Sequence, residues 1–238
     1  MTLALDLRNG TGSLLELAER DLDAFWREVA VYEAAAYAGD LQAREVLRAA
    51  LHDVLPALVG SYQDAAIALA ADLYDLERDR VNMPGTYRAP GIEMPDGGHV
   101  LAAWALTEAA NPEGLHGLVG GAVTRRVMQV ANGTVRRAAV GDPSAAGWYR
   151  VARPKACEFC RFLAGRGATY TRDTVDFASH DHCHCIAAVA WGGSTGVLLD
   201  TQGKRLTRST AKTRTDDDLR AIDNQNIRDW IESHPNSG

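Results

Sequence analysis

The chain has 238 residues and a formal net charge of −6, long enough to bury a sizeable core in one domain or two. Its hydrophobic share of 46% and charged share of 24% place it among ordinary globular proteins. The first eight residues hold no basic n-region and no long apolar run, and the apolar stretch 65–71 soon meets Asp72 and Asp75, so neither a secretory signal nor a membrane span is expected.

The first eighty residues read as helix. Ser13 after Gly12 is a plausible N-cap, and Leu14, Leu17, Leu22, Phe25, Trp26 and Val29 recur at helical spacing. Gly39 and Asp40 break the pattern, and a second stripe follows in Val46, Leu47, Ala50 and Leu51. Pro56 is expected either to kink this helix or to sit in the first turn of the next, which runs to about Arg80. Such stripes are the signature of helix–helix packing.

Three prolines (Pro84, Pro90, Pro95) stand in residues 82–98, which read as a loop and a candidate hinge. Helical signals resume at 99–110 and 113–140. Gly120 and Gly121 are no phosphate loop, since the GxxxxGK[ST] frame is missing and no strand precedes them. Beyond Gly141-Asp142-Pro143 come short strands at 148–151, 168–170 and 186–191, with a turn and short helix at 157–164. The fold class expected is therefore α+β. A helical body spans 1–140, a small α+β unit 141–191, a basic linker 192–214, and a C-terminal helix and tail 215–238, where Leu219, Ile222, Ile227, Trp230 and Ile231 form an apolar face.

Charge is unevenly spread. Residues 1–80 carry fifteen Asp/Glu against seven Arg, a balance of −8, whereas residues 120–175 carry ten Arg/Lys against three acids, or +7. A further basic cluster lies within 204–214. Segments 120–175 and 204–214 are candidates for contact with nucleic acid or an acidic protein surface. Solvated helix faces are the plainer reading, because no aromatic residues interleave the tail cluster as a stacking platform.

All four cysteines fall between residues 157 and 185, with three of the seven histidines beside them. Cys157-x-x-Cys160 answered by His180-Asp181-His182-Cys183-His184-Cys185 has the donor types and spacing of a tetrahedral zinc site. In a chain without an export signal, clustered cysteines read as reduced metal ligands rather than disulfides. The candidates outnumber the four positions of one ion. The preferred set is Cys157, Cys160, His180 and Cys185, with Cys183 as the main substitute; His182 and His184 are alternative ligands or supporting groups. Thiolate-rich ligation favours a structural zinc over a catalytic one. Glu158 and Asp181 lie in no HExxH helix, the HxE…PCxxC deaminase frame is absent, and Ser179-His180, as sequence neighbours, make no triad. Nothing in the sequence demands catalysis.

The segment 147–151, Gly-Trp-Tyr-Arg-Val, followed by Cys157-x-x-Cys160-Arg161-x-Leu163-Ala164-x-Arg166-Gly167-Ala168-x-Tyr170 and His180-x-x-Cys183-x-Cys185, resembles the MuF-like minor capsid proteins of tailed phages. The resemblance is in particular to those of actinobacterial phages, and the group is also called the phage head morphogenesis family. The helical region ending in Ala70-Ala71-Asp72-Leu73-Tyr74 and Arg78 is similar too. His184 stands where that family usually has Arg or Asp. The resemblance implies a virion protein of few copies, made in the host cytoplasm and located inside the head. Its implied partners are the portal, the major capsid protein and the scaffold, and it implies a metal role for Cys157, Cys160, His180, Cys183 and Cys185. Some relatives are labelled capsid maturation proteases, so processing of scaffold or capsid protein is one alternative. A DNA-contacting internal virion protein is the other.

Overall fold

A computed structural model describes residues 3–93, 97–153, 156, 160–161, 164, 184–191, 198–199 and 205–206. Four helices, α1 (Leu3–Tyr37), α2 (Leu41–Arg80), α3 (Gly98–Glu108) and α4 (Pro112–Gly141), precede strands β1 (Ala145–Val151) and β2 (Ile186–Trp191). Two short strands, β3 (Leu198–Leu199) and β4 (Arg205–Leu206), pair antiparallel within the segment expected to be an extended linker. Among the described residues the architecture is mostly helical with a small sheet, consistent with the α+β class.

Helices α1 and α2 form a long antiparallel hairpin. At 1.5 Å per residue they span roughly 50 and 60 Å. Their pairing is fixed by contacts such as Tyr62 Oη donating to Asp21 Oδ2 at 2.7 Å. The turn between them has a plain physical cause. Gly39 adopts φ +102°, which a side chain resists, and Asp40 then accepts hydrogen bonds from the Gln42 and Ala43 amides as N-cap of α2.

Two boundaries differ from the sequence reading. Helix α1 begins ten residues before Ser13, at Leu3, because Leu3, Ala4, Leu7 and Thr11 extend the buried stripe backwards. Gly10 does not break it: a Cβ there would stand 2.6 Å from a Leu69 methyl, so the small residue lets the two helices approach. Helix α2 likewise runs through Pro56 without ending. Leu47, Leu51, Leu55, Val59 and Gln63 form an unbroken ladder of four-residue steps across it, and their burial outweighs the one hydrogen bond a proline removes. Gly98 at the start of α3 lies directly on the Pro56 backbone, leaving no room for a Cβ.

Helix α3 packs antiparallel on the first half of α2, with Arg44 Nη2 donating to Leu106 O at 2.9 Å. Helix α4 begins at an Asn111 cap with Pro112 behind it and lies across both long helices. One 18-residue window of α2 has a mean hydropathy of 1.3, long and apolar enough to cross a membrane by length and composition. Of that window 28% is buried, and the buried stripe packs against α1, α3 and α4 and ends in Tyr74, Glu77 and Arg78.

Strands β1 and β2 pair antiparallel from Ala145↔Trp191 to Val151↔Ile186. They sit at the end of the bundle where α1 starts and α2 finishes, with Arg8 Nη2 donating to Ala152 O at 3.3 Å. Their buried residues Trp148, Tyr149 and 186–190 join the same apolar cluster as the helices.

Candidate functional site

In sequence, the Cys/His segment lies between these two strands and ends at Cys185, next to the first residue of β2. A two-stranded ribbon is marginal alone, and here α4 completes it. Asn132, wholly buried, faces the outer edge of β2. Its Nδ2 donates to the Cys185 carbonyl at 2.9 Å and its Oδ1 accepts from the Ala187 amide at 2.6 Å. One carboxamide thus takes the place of a third strand's peptide group, pairing two backbone groups that would otherwise be buried without partners. The residue so anchored is Cys185, 1% exposed.

Cys160 lies in helical backbone beside Arg161 and is 2% exposed. Both cysteines belong to the common apolar cluster. His184 is half-buried just before the anchored residue. Cys157, His180, His182 and Cys183 lie outside the described residues. Among the described residues no three Cys, His, Asp or Glu side chains gather as a ligand set. Two buried sulfur donors, one on an anchored strand, suit a thiolate-rich zinc site in donor type.

A second cluster, which the sequence reading did not single out, locks the junction between body and sheet. Arg78 and Asp142 form a salt bridge at 2.9 Å with side chains 2% and 0% exposed. The guanidinium also donates to the carbonyls of Met83, Pro84 and Gly85, so one side chain ties the end of α2 and the following loop to the C-terminal cap of α4. Asp142 is satisfied in turn: Oδ1 accepts from the Ser144 amide at 2.9 Å, and Oδ2 from the Tyr74 hydroxyl at 3.3 Å. Burial, and then the nearby Asp142 carboxylate, push the Tyr74 phenol well above its ordinary range. Ser144 donates its hydroxyl to Pro84 O at 3.3 Å, a structural contact. The cluster is fully paired and has the form of a structural lock. In the sequence, Gly141-Asp142-Pro143 reads equally well as a turn, and Tyr74 and Arg78 stand out only through the family resemblance.

At the opposite end a groove of about 420 Å³ is lined by Asp23, Trp26, Arg27, Ala30, Glu33 and His116. His116 stacks on Trp26 with ring centroids 4.2 Å apart, and its Nε2 lies 2.9 Å from Glu33 Oε1. This pairing anchors α4 to α1.

The sequence profile described as VG15 protein matches residues 3–204, from the first turn of α1 to just short of β4. The chain belongs to the VG15 protein family. That is a phage virion family, so the chain is a phage, virion-associated protein. No curated protein and no solved structure matches it. The VG15 match takes in helices, loop and strand pair together, and the buried stripes, the Arg78 lock and the Asn132 anchor all fall inside it.

Proposed function

We propose that this VG15 chain is a minor capsid protein of MuF-like type, acting in head assembly from inside the head at the portal. The observation that carries the reading is the match to a virion family over residues 3–204, whose span includes the Cys/His segment. Architecture supports it. A hairpin some 50–60 Å long is stiff enough to bridge separate protein surfaces. The acidic first eighty residues and the basic segment 120–175 suit contact with unlike partners such as portal, major capsid protein and scaffold.

A structural zinc ion completes the proposal. Cys157, Cys160, Cys185 and one of His180 or Cys183 would hold it, with His182 and His184 as the remaining donors. Bound there, the ion would clip the segment between β1 and β2, a stretch too short to bury a core of its own. The small unit 141–191 is the part that would depend on it.

The test is to locate the protein in purified particles. Protease treatment of intact heads should spare it, and treatment of disrupted heads should digest it; removing the gene should lower the yield of filled heads. Digestion in intact heads would overturn the interior location. Wild-type head yield without the gene would overturn the assembly role. Scaffold or capsid fragments that vanish with the gene would favour the maturation-protease alternative. Release from heads on DNA digestion would favour the DNA-contacting one.

A further inference from the structure

The Asn132 anchor has more hydrogen bonding than packing alone requires. A leucine of similar volume would fill the space. Instead a polar side chain at 0% exposure reaches from the middle of α4 to two backbone groups more than fifty residues away. Of all β2 and its approach, it grips the peptide units on either side of Ile186, and the carbonyl it holds is that of Cys185. The strand's other edge is already fixed by pairing with β1, where Val151 faces Ile186. The peptide joining Cys185 to Ile186 is therefore held on both sides, its carbonyl by Asn132 and its Ile186 end by the last rung of the β1 ladder.

We infer that Asn132 is a positioning residue for Cys185 as a metal ligand; this rests on the zinc reading above. A ligand on an unrestrained backbone must lose conformational freedom when the ion binds. Fixing the peptide beforehand removes part of that cost and sets the direction in which the Cys185 thiolate meets the ion. Because Asn132 belongs to α4, the anchor also couples the site to the helical body. By linkage, whatever α4 contributes to ion binding the ion returns to the α4–β2 contact.

The experiment uses the full chain, stripped with a chelator and titrated with zinc(II) against a chromophoric competitor. A parallel titration uses cobalt(II), whose thiolate charge-transfer band reports sulfur ligation. Asn132→Leu keeps the volume and loses both hydrogen bonds. Asn132→Asp keeps the acceptor for the Ala187 amide and should fall between. Removing such an outer contact weakens metal affinity by about 10- to 100-fold, so Asn132→Leu should bind zinc that much more weakly. The cobalt band should survive at saturation, because the ligands themselves are unchanged. Leu115→Ala, also buried on α4 but near its other end, controls for lost stability and should keep the wild-type affinity.

Equal affinity in wild type and Asn132→Leu overturns the inference and leaves the zinc reading standing. A matching loss in Leu115→Ala also overturns it, by making the effect one of general stability. A wild-type chain that takes up neither zinc nor cobalt overturns the zinc reading, and this inference with it. If the Asn132 variants fail to fold, hydrogen exchange on the wild type decides: zinc should slow exchange at the Ala187 amide, and an unchanged rate overturns the proposal.

Discussion

The bundle and the strand pair solve the same problem, enclosing an apolar core, by different means. The bundle does it by repetition. Buried side chains recur down α1, α2 and α4, so no single residue between the ends is decisive. Among the described residues the strand pair has two strands, and it relies on individual side chains: Asn132 on its outer edge and Arg78 at its junction with the body. Redundant packing tolerates substitution, whereas single polar keystones do not. The sharpest effects should therefore cluster where the two regions meet.

Arg78→Met offers the hardest test. Removing one partner of a buried ion pair leaves the other uncompensated and costs about 3–5 kcal/mol, to be read as a shift in the urea midpoint. The double variant Arg78→Met/Asp142→Leu should recover a good part of that loss. No recovery would mean that Arg78 acts mainly through the 83–85 carbonyls.

Next is Asn132→Leu. It leaves the Cys185 carbonyl and the Ala187 amide without their partner, at about 1–3 kcal/mol for each buried group left unpaired. Faster hydrogen exchange should be confined to β2 and its contacts on α4. Loosening that spread into α1 and α2 would show that the two regions do not differ as described.

The hairpin turn gives a smaller effect inside the bundle. Gly39→Ala forces a side chain into a left-handed conformation at φ +102°, worth about 1–2 kcal/mol. Asp40→Ala removes the α2 cap at about 1 kcal/mol. Thermal melts of both should stay cooperative, and the strand-pair exchange pattern should not move.

The mildest test is in alkali. Burial, reinforced by the hydrogen bond to Asp21, pushes the Tyr62 phenol up to about 12 from an ordinary 10. A phenol whose pKa is raised on folding stabilises the native state fully below pH 10. That contribution is lost as pH climbs from 10 through 12. Urea midpoints should fall over this window, and Tyr62→Phe should flatten the fall. Tyr74, raised further still by burial, adds to the same fall, so Tyr62→Phe should flatten it only in part.

The bundle was the legible part of the sequence. Apolar spacing marked the helices of the first eighty residues, and the helical readings at 99–110 and 113–140 and the strands read at 148–151 and 186–191 overlap α3, α4, β1 and β2. Helix ends were harder. Pro56 and Ser13 carry local signals for a break and a start, and tertiary packing overrode both: the Leu51, Leu55, Val59 ladder continues across the proline, and Gly10 fits beneath Leu69. Of the candidate site, the sequence pointed to the cysteines but not to what holds them. Asn132 lies in a glycine-flecked helix more than fifty residues before its partners, and Arg78, named only within the family resemblance, gives no sign in sequence that Asp142 is brought against it. Long-range pairs between single polar residues leave no period to detect.

The α1–α2 hairpin bears on how such a chain can change length. Each residue inserted into a helix rotates everything beyond it by about 100°, so a single insertion in α1 would turn the buried row from Leu3 to Thr11 out toward solvent. A change that preserves packing must come in near-whole numbers of turns, on the order of seven residues, and must be matched in both arms. Between Gly39 and Arg78 the hairpin is thus quantised: its reach adjusts in steps of roughly 10 Å, and a relative suited to a different spacing should differ from this chain by paired, seven-residue increments.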